Sequence, residues 1–187
     1  MSEKLGPIHY HMFEKLKFQD VLAKRLLSSN LREQVEMNER FGSIPNLPME
    51  EVLDEANIHG SLQELVNLAE QRLQFALAHA KDAEQTIYQA GRVAGAGKEL
   101  KSADAIAKEL EIFFLDGMPS SHAIKFDVLE DDSLQIAQNV DCHKEYKIED
   151  GNMDFYQARE IFINGFLSET AYHVERIGEQ AYWIKKR

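Results

Sequence analysis

The spacing of apolar residues changes once along the chain, at Pro119. Before that proline, apolar residues recur about every 3.6 residues, as in a helix, and after it they alternate with polar residues, as in a strand. Ile124, Phe126 and Val128 alternate in this way, and a polar turn at 131–133 leads into a second alternating stretch. The pattern predicts a β-hairpin that follows a helical region.

The end of the chain repeats the strand pattern after one more helix. A helical stretch over 155–166 precedes a second hairpin centred on Gly178 and Glu179. The order strand, strand, helix, strand, strand predicts an α+β fold, in which N-terminal helices pack on a C-terminal four-stranded antiparallel sheet with helices. We expect two regions, a helical N-terminal region over 1–80 and an α+β domain over 81–187.

Five helical segments are predicted before Pro119 from the apolar period and from capping residues. Pro7 suits a first turn, Gly42 suits a helix end, and Ser61 with Glu64 has the spacing of a capping box. We expect the long run after Ser61 to break near 81–85. The segments are 8–27, 30–42, 48–57, 61–100 and 102–115.

Charge and hydropathy exclude several classes of function. The 187 residues include 21 Lys and Arg against 32 Asp and Glu, a net charge of −11. Binding to nucleic-acid phosphates requires a clustered basic surface, so we expect no nucleic-acid partner. The longest aliphatic and aromatic run, 112–115, is far shorter than the about 18 residues of a membrane span, and the first residues lack the pattern of a secretory signal. We expect a cytoplasmic protein with no membrane partner.

The segment from Gly91 to Lys98 contains three glycines and a lysine, which invites comparison with a phosphate-binding loop. The spacing is wrong for such a loop, Glu99 stands where a hydroxyl would hold magnesium, and no strand precedes the segment. Gly91 and Gly95 instead share one helix face. Since glycine destabilises a helix by roughly 1 kcal/mol, this face predicts the close approach of another backbone.

Cys142 is the only cysteine, which excludes an intrachain disulfide and any all-cysteine metal site within one chain. It is expected at the end of the second strand, with the parity of Leu134 and Ile136. It is therefore either a small core residue or a catalytic thiol at the lip of a pocket. The neighbouring His143 would point to the opposite face of a regular strand, so a partner base is expected from elsewhere. The candidates for this base are His9, His59, His122 and His173.

Histidine and carboxylate residues of the helical region predict a second kind of site. Three pairs are spaced so that both members share one helix face, and bundle proteins hold iron, manganese or zinc with such residues from several helices. The alternative is that these charges form a solvated helix face. The pairs are His11 with Glu14, Glu33 with Glu36, and Glu55 with His59. The candidate ligands for Zn, Fe or Mn are His11, His59, Glu33 and Glu55.

Four features from about Tyr88 onward carry a resemblance to a known family. They are the helix Tyr88-Gln-Ala-Gly-Arg-Val-Ala-Gly, the hairpin end Val140-Asp-Cys, the helix Ile163-Asn-Gly-Phe-Leu and the closing Gly178-Glu turn. In type and order these features resemble the vinyl-reductase-like ligand-binding domain and the related L-2-amino-thiazoline-4-carboxylic acid hydrolase family. The first 80 or so residues lie outside the resemblance.

The resemblance implies an α+β domain that is often dimeric and has a small-molecule pocket between helices and sheet. It also implies that Cys142 is the counterpart of a hydrolase cysteine. Further cysteines typical of the domain are replaced by Val174 and Tyr182, which puts a thiolate metal cluster in doubt.

Three functions are therefore expected as alternatives. The first is an enzyme that hydrolyses a C–N bond in a small amino-acid-derived compound, with Cys142 as nucleophile or ligand and a histidine of the helical region as base. The second is a non-enzymatic homodimeric ligand sensor with helix contacts at Gly91 and Gly95, and the third is a metal site in the helical region. The candidate ligand-binding residues are His9, His59, His143 and Tyr88.

Overall fold

The computed structural model describes residues 4–187, which contain seven α-helices and four β-strands. The helices are α1 (Pro7–Leu26), α2 (Leu31–Phe41), α3 (Met49–Val52), α4 (Ile58–His79), α5 (Ala83–Gly95), α6 (Ala103–Glu111) and α7 (Phe155–Phe166). The strands are β1 (Ile124–Val128), β2 (Leu134–Gln138), β3 (Tyr172–Gly178) and β4 (Ala181–Lys186). The predicted α+β fold, with helices first and the sheet in the C-terminal part, is confirmed.

The four strands form one antiparallel sheet in the order β1-β2-β4-β3. Alternate residues of the central strands are buried, as the period-two pattern predicts. Phe126 pairs with Ile136, and Ile136 pairs with Tyr182 on the next strand. One face of the sheet therefore joins the hydrophobic core with α7.

The two ends of α4 confirm one prediction about this helix and correct another. The break between α4 and α5 lies at 80–82, where Ala80 is extended, which confirms the predicted interruption. The capping box at Ser61 is wrong, because α4 already begins at Ile58. Its N-cap is Asn57, whose side chain accepts a hydrogen bond from the amide of Gly60, and the Ser61 hydroxyl donates to the backbone carbonyls of Asn57 and Ile58.

The strand β2 ends at Gln138, so the prediction that it extends to Cys142 is wrong. The amides of Asn139 and Val140 both donate to the carbonyl of Ala123, which turns the chain away from the sheet. Val140 is consequently 51% exposed. Residues 139–143 form a loop, so their side chains do not alternate between the two faces of the sheet. Other contacts set their positions.

The core of the described residues divides into two hydrophobic clusters. The smaller one lies among α1, α3 and the first half of α4, and the larger one extends from α1 and α4 through α5, α6 and α7 to the sheet. The larger cluster therefore crosses the division expected at residue 80. No helix in residues 4–187 has the length and apolar composition needed to cross a bilayer.

The helices α5 and α7 pack with their backbones in close contact, as the glycine face predicts. A Cβ atom built on Gly91 would lie 2.1 Å from the carbonyl oxygen of Phe162, and one on Gly95 would lie 2.2 Å from that of Phe166. A Cβ atom built on Gly165 of α7 would likewise lie 2.1 Å from the carbonyl oxygen of Tyr88. The glycine face is therefore covered by α7 of the same chain, which confirms the predicted close approach of another backbone.

We expect Gly91→Ala to lower the free energy of unfolding by about 1–3 kcal/mol, because the methyl group meets a backbone carbonyl that cannot rotate away. The gain in helix propensity from alanine, roughly 1 kcal/mol, offsets part of the loss. Urea denaturation measures the difference. The control Val93→Ala places alanine on the exposed face of the same helix and should change stability by no more than about 0.5 kcal/mol. A Gly91→Ala protein as stable as this control would contradict the packing described here.

Candidate functional site

Four buried ionisable side chains contact one another where the helices meet the end of the sheet. They are Glu70 on α4, Asp116 in the segment after α6, His143 in the loop after β2, and Arg159 on α7. Cys142 lies half-buried at the edge of this group. Buried charges are rare unless they are paired, so their concentration at one place marks a candidate functional site.

The imidazole of His143 stands at the centre of the group. Its Nδ1 lies 2.7 Å from Oε1 of Glu70, and its Nε2 lies 2.9 Å from Oδ1 of Asp116. The Sγ of Cys142 lies 3.6 Å from the same Nε2, within hydrogen-bonding distance for sulfur. The ring also stacks on Phe155, with 3.7 Å between ring centroids. Thiol, imidazole and carboxylate thus form a chain from Cys142 through His143 to Glu70.

Asp141 explains why two neighbouring residues can turn their side chains toward each other. Its carboxylate accepts hydrogen bonds from the backbone amides of His143 and Lys144 and from the hydroxyl of Tyr156. These contacts hold the loop in a tight turn. The expectation that His143 points away from Cys142 is therefore wrong, because it assumed a regular strand.

Arg159 and Gln138 complete the site on its other side. The guanidinium of Arg159 donates to both carboxylate oxygens of Asp116, at 3.0 and 3.1 Å. It also donates to Oε1 of Gln138 at 3.2 Å, so the amide nitrogen of Gln138 faces Asp116 at 2.9 Å and Sγ of Cys142 at 3.8 Å. The guanidinium lies over the rings of Phe114 and Phe155.

The pKa values of the buried groups favour a charged but neutralised cluster. Burial opposes protonation of His143, but the charge of Glu70 and the hydrogen bond to Asp116 raise its pKa well above the ordinary value. Burial likewise opposes ionisation of Asp116, but the charge of Arg159 and the hydrogen bond from His143 hold its pKa well below the ordinary value. Two carboxylates, one imidazolium and one guanidinium balance in charge, which is the condition for burying them together.

The same atoms permit a comparison with metal sites. Within residues 4–187, Asp116, Cys142 and His143 form the one group of three or more possible ligands whose atoms lie within 4.8 Å of one another. Sulfur, imidazole and carboxylate are all zinc ligands. Arg159, however, binds both oxygens of Asp116, and its positive charge opposes a second cation there. The arrangement favours a proton on His143 over a metal ion.

The structure does not gather the ligands predicted for a metal in the helical region. His11 lies 3.0 Å from Glu111 on α6, Glu33 lies on α2, and Glu55 is exposed in the turn before α4. The ring of His59 contacts that of His9, with 5.7 Å between centroids. In the part of the chain that the structure describes, none of these four residues belongs to a group of three or more possible ligands whose atoms lie within 4.8 Å of one another.

The other predicted ligand-binding residues lie in separate places. The Nδ1 of His9 accepts a hydrogen bond from the amide of Gly6, which places it at the start of α1. Tyr88 is partly exposed on α5 and borders a surface groove formed with α7. His122 follows a 3₁₀ turn, and His173 contacts Glu175 on β3. The histidine that the structure brings within hydrogen-bonding distance of Cys142 is therefore His143, and the source of a catalytic base stays a prediction.

Four residues of the site were not identified from the sequence: Glu70, Asp116, Gln138 and Arg159. Two of them left a signal, because they are charged residues within apolar helical stripes. Glu70 continues the spacing of Val66 and Leu73 on α4, and Arg159 lies between Phe155 and Phe162 on α7. A charged residue at a core position of a helix predicts a buried partner. No local pattern distinguishes Asp116 or Gln138.

Open space adjoins the site on two sides. A polar groove bordered by Asp141, His143 and Tyr156 opens beside the loop. On the other side of Phe155 and Arg159, an apolar cavity of about 50 Å³ lies among α1, α4, α5 and α7.

Comparisons with protein-family models, with curated proteins and with solved structures found no match for this chain.

Proposed function

We propose that the protein is a thiol-dependent hydrolase that cleaves a C–N bond in a small amino-acid-derived compound. The observation that supports this proposal is the chain of contacts from Cys142 Sγ to His143 Nε2 and from His143 Nδ1 to Glu70. A nucleophile, a base within hydrogen-bonding distance and a third group that orients the base are the parts of a catalytic triad. The resemblance to the L-2-amino-thiazoline-4-carboxylic acid hydrolase family supports the same reaction class.

The proposed reaction uses the imidazolium of His143 and the thiolate of Cys142. The sulfur attacks the carbon of the C–N bond, and a C–S bond forms. The C–N bond then breaks while His143 gives its proton to the departing nitrogen. Neutral His143 next takes a proton from water, which attacks the same carbon, and the C–S bond breaks to restore the thiolate.

Glu70 would keep the imidazole in one orientation throughout this cycle. Its own carboxylate is held by the side-chain amides of Gln19 and Gln74, each at 3.2 Å. Gln138 also contacts the sulfur, and the two hydrogens of its amide nitrogen are held by Asp116 Oδ1 at 2.9 Å and the carbonyl of Val140 at 3.1 Å.

The polar groove beside His143 is the proposed route for the small molecule. His143 is among its lining residues, together with others from the loop after β2 and the start of α7. The homodimer implied by the resemblance and the cytoplasmic location expected from the sequence stay predictions.

The reactivity of Cys142 tests the proposal without a known substrate. Because the chain has a single cysteine, the mass of the intact protein reports its alkylation by iodoacetamide. The proposed reaction requires a nucleophilic sulfur at Cys142, so at about pH 6 we expect Cys142 to react at least about tenfold faster than N-acetylcysteine. A rate equal to that of N-acetylcysteine at every pH would contradict the proposal. Prior dialysis against EDTA should leave the rate unchanged, because the proposed reaction needs no metal.

Hydrolysis of L-2-amino-thiazoline-4-carboxylate and of related cyclic and open amides tests the reaction itself. We expect Cys142→Ser to lower any turnover at least about 10³-fold, since a neutral hydroxyl replaces a thiolate. Full turnover by Cys142→Ser would exclude Cys142 as the nucleophile. The control Ser61→Ala changes a hydroxyl on α4 remote from the site and should retain the activity.

A further inference from the structure

The β3–β4 turn, formed by Glu179 and Gln180, has no part in the proposed reaction, yet it contacts the segment that leads to the thiol. The carbonyl oxygen of Gln180 accepts a hydrogen bond from the backbone amide of Gln138, at 3.1 Å. The side-chain amide of Gln180 donates to Oδ2 of Asp141, at 2.7 Å. This one residue of the turn therefore holds the chain at two points shortly before Cys142.

The two oxygens of the Asp141 carboxylate have different partners. Oδ1 accepts hydrogen bonds from the backbone amides of His143 and Lys144, at 3.2 and 3.1 Å, and from the hydroxyl of Tyr156, at 2.7 Å. Oδ2 accepts its hydrogen bond from Gln180. The contact with Gln180 therefore fixes the orientation of the carboxylate, and the carboxylate in turn holds the backbone that carries His143.

The β3–β4 turn has contacts of its own that fix its shape. The guanidinium of Arg176 donates to the carbonyl oxygens of Gly178 and Glu179, at 3.3 and 2.6 Å. The pairing of β3 with β4 shifts in register between Arg176 and Gly178. Such bulges change the direction of nearby side chains and are over-represented next to active sites. The sheet thus presents Gln180 to the loop from a fixed position.

We propose that Gln180 and Asp141 are positioning residues for the reaction at Cys142, because together they hold the thiol against the imidazole of His143. The inference rests on the proposed function and adds the residues that orient its nucleophile and its base. Holding two reacting groups in one geometry contributes to the rate by itself. Without the contact between Gln180 and Asp141, the loop would relax and the sulfur would leave its place 3.6 Å from Nε2 of His143.

A reciprocal pair of substitutions tests this contact. Gln180→Glu sets a second carboxylate against that of Asp141, so the two charges repel each other and release the loop. Adding Asp141→Asn restores the hydrogen bond with donor and acceptor exchanged, because the new amide nitrogen donates to the introduced carboxylate. The new amide oxygen still accepts from the backbone amides of His143 and Lys144. The control Gln157→Glu adds the same charge at an exposed position in the first turn of α7.

The readout is the rate of alkylation of Cys142 by iodoacetamide between about pH 6 and pH 9, divided by that of N-acetylcysteine. For Gln180→Glu we expect this ratio to fall at least about fivefold at about pH 6, so that the rate follows the pH profile of N-acetylcysteine. The double variant and Gln157→Glu should stay within about twofold of the unmodified protein. Circular dichroism at each pH shows whether a variant is folded.

Gln180→Met is the second variant if Gln180→Glu does not fold. It removes the hydrogen bond to Asp141 without adding a charge. Because one hydrogen bond contributes about 1 kcal/mol, we expect the ratio at about pH 6 to fall at least about threefold.

The two proposals fail in different ways. If Cys142 reacts at least about tenfold faster than N-acetylcysteine and both Gln180→Glu and Gln180→Met keep that excess, the positioning role is wrong and the proposed function stands. A loss in Gln180→Glu that the double variant does not recover also overturns the positioning role. If Cys142 of the unmodified protein reacts no faster than N-acetylcysteine at any pH, the proposed function fails and the positioning role with it.

Discussion

Replacing Arg159 with methionine is expected to lower the free energy of unfolding by about 3–5 kcal/mol, because it leaves Asp116 buried without its cation. The pair is inside the protein, with 5% of the Arg159 side chain and 4% of the Asp116 side chain exposed. His143 and Gln138 still donate to Asp116, but neither replaces the three hydrogen bonds from the guanidinium. Methionine retains most of the volume of the side chain, so the loss reports the charge rather than a cavity.

Urea denaturation at neutral pH measures this loss, with Lys108→Met as the matched control. Lys108 pairs with Asp104 on the surface of α6, where both side chains are mostly exposed, so its replacement should cost less than about 1 kcal/mol. Adding Asp116→Asn to Arg159→Met should recover part of the stability, since the uncompensated carboxylate is then absent. Equal losses for Arg159→Met and Lys108→Met would show that the buried pair does not hold the site together.

Local patterns were sufficient to predict most of the fold. The period of two after Pro119 predicts both hairpins, because a half-buried strand places alternate residues in the core. The two glycines on one face of α5 predict the close approach of another backbone, because nothing else compensates for their effect on helix stability. Both inferences depend only on residues that are near one another in sequence.

The site could not be predicted in the same way, because its contacts join distant segments. His143 lies 73 positions from Glu70 and 27 from Asp116, and Arg159 lies 43 from Asp116. The orientation of His143 depends on where β2 ends, which is at Gln138. The hydrogen bonds from the amides of Asn139 and Val140 to the carbonyl of Ala123 set this end, and side-chain alternation gives no sign of it. If the alternation of side chains is followed beyond the end of the strand, the side chains after that point are no longer assigned to the correct face.

The cluster also links function to stability, because the positive charge on His143 that the proposed reaction uses also balances the buried carboxylate of Glu70. His143 in its protonated form compensates Glu70, while Arg159 compensates Asp116. Loss of the proton from His143 would therefore lower the free energy of unfolding, and it would at the same time remove the imidazolium beside the thiol.

We expect the stability of the protein to fall as the pH rises above about 6.5, the ordinary pKa of histidine. The pKa of His143 is raised in the folded protein, so its contribution is fully present below the unfolded value and is lost as the pH rises through the folded value. One proton gives a slope of at most about 1.4 kcal/mol per pH unit. Urea denaturation between about pH 6 and pH 9 measures it, with Cys142→Ala as the background so that thiol ionisation does not contribute.

In the same background, His143→Gln should lower the free energy of unfolding by about 3–5 kcal/mol near pH 6, because Glu70 is then buried without a cation. The difference in free energy of unfolding between His143→Gln and its Cys142→Ala parent should narrow as the pH rises, since the parent then loses the charge on its imidazole. Glu70→Gln combined with His143→Gln should recover stability near pH 6, because Asp116 keeps Arg159. The control His11→Gln removes a histidine that is paired with Glu111 at the surface and should show no such narrowing. A loss of stability in His143→Gln that stays constant across this pH range would mean that His143 is neutral in the folded protein. The proposed reaction would then have no imidazolium to give a proton to the departing nitrogen.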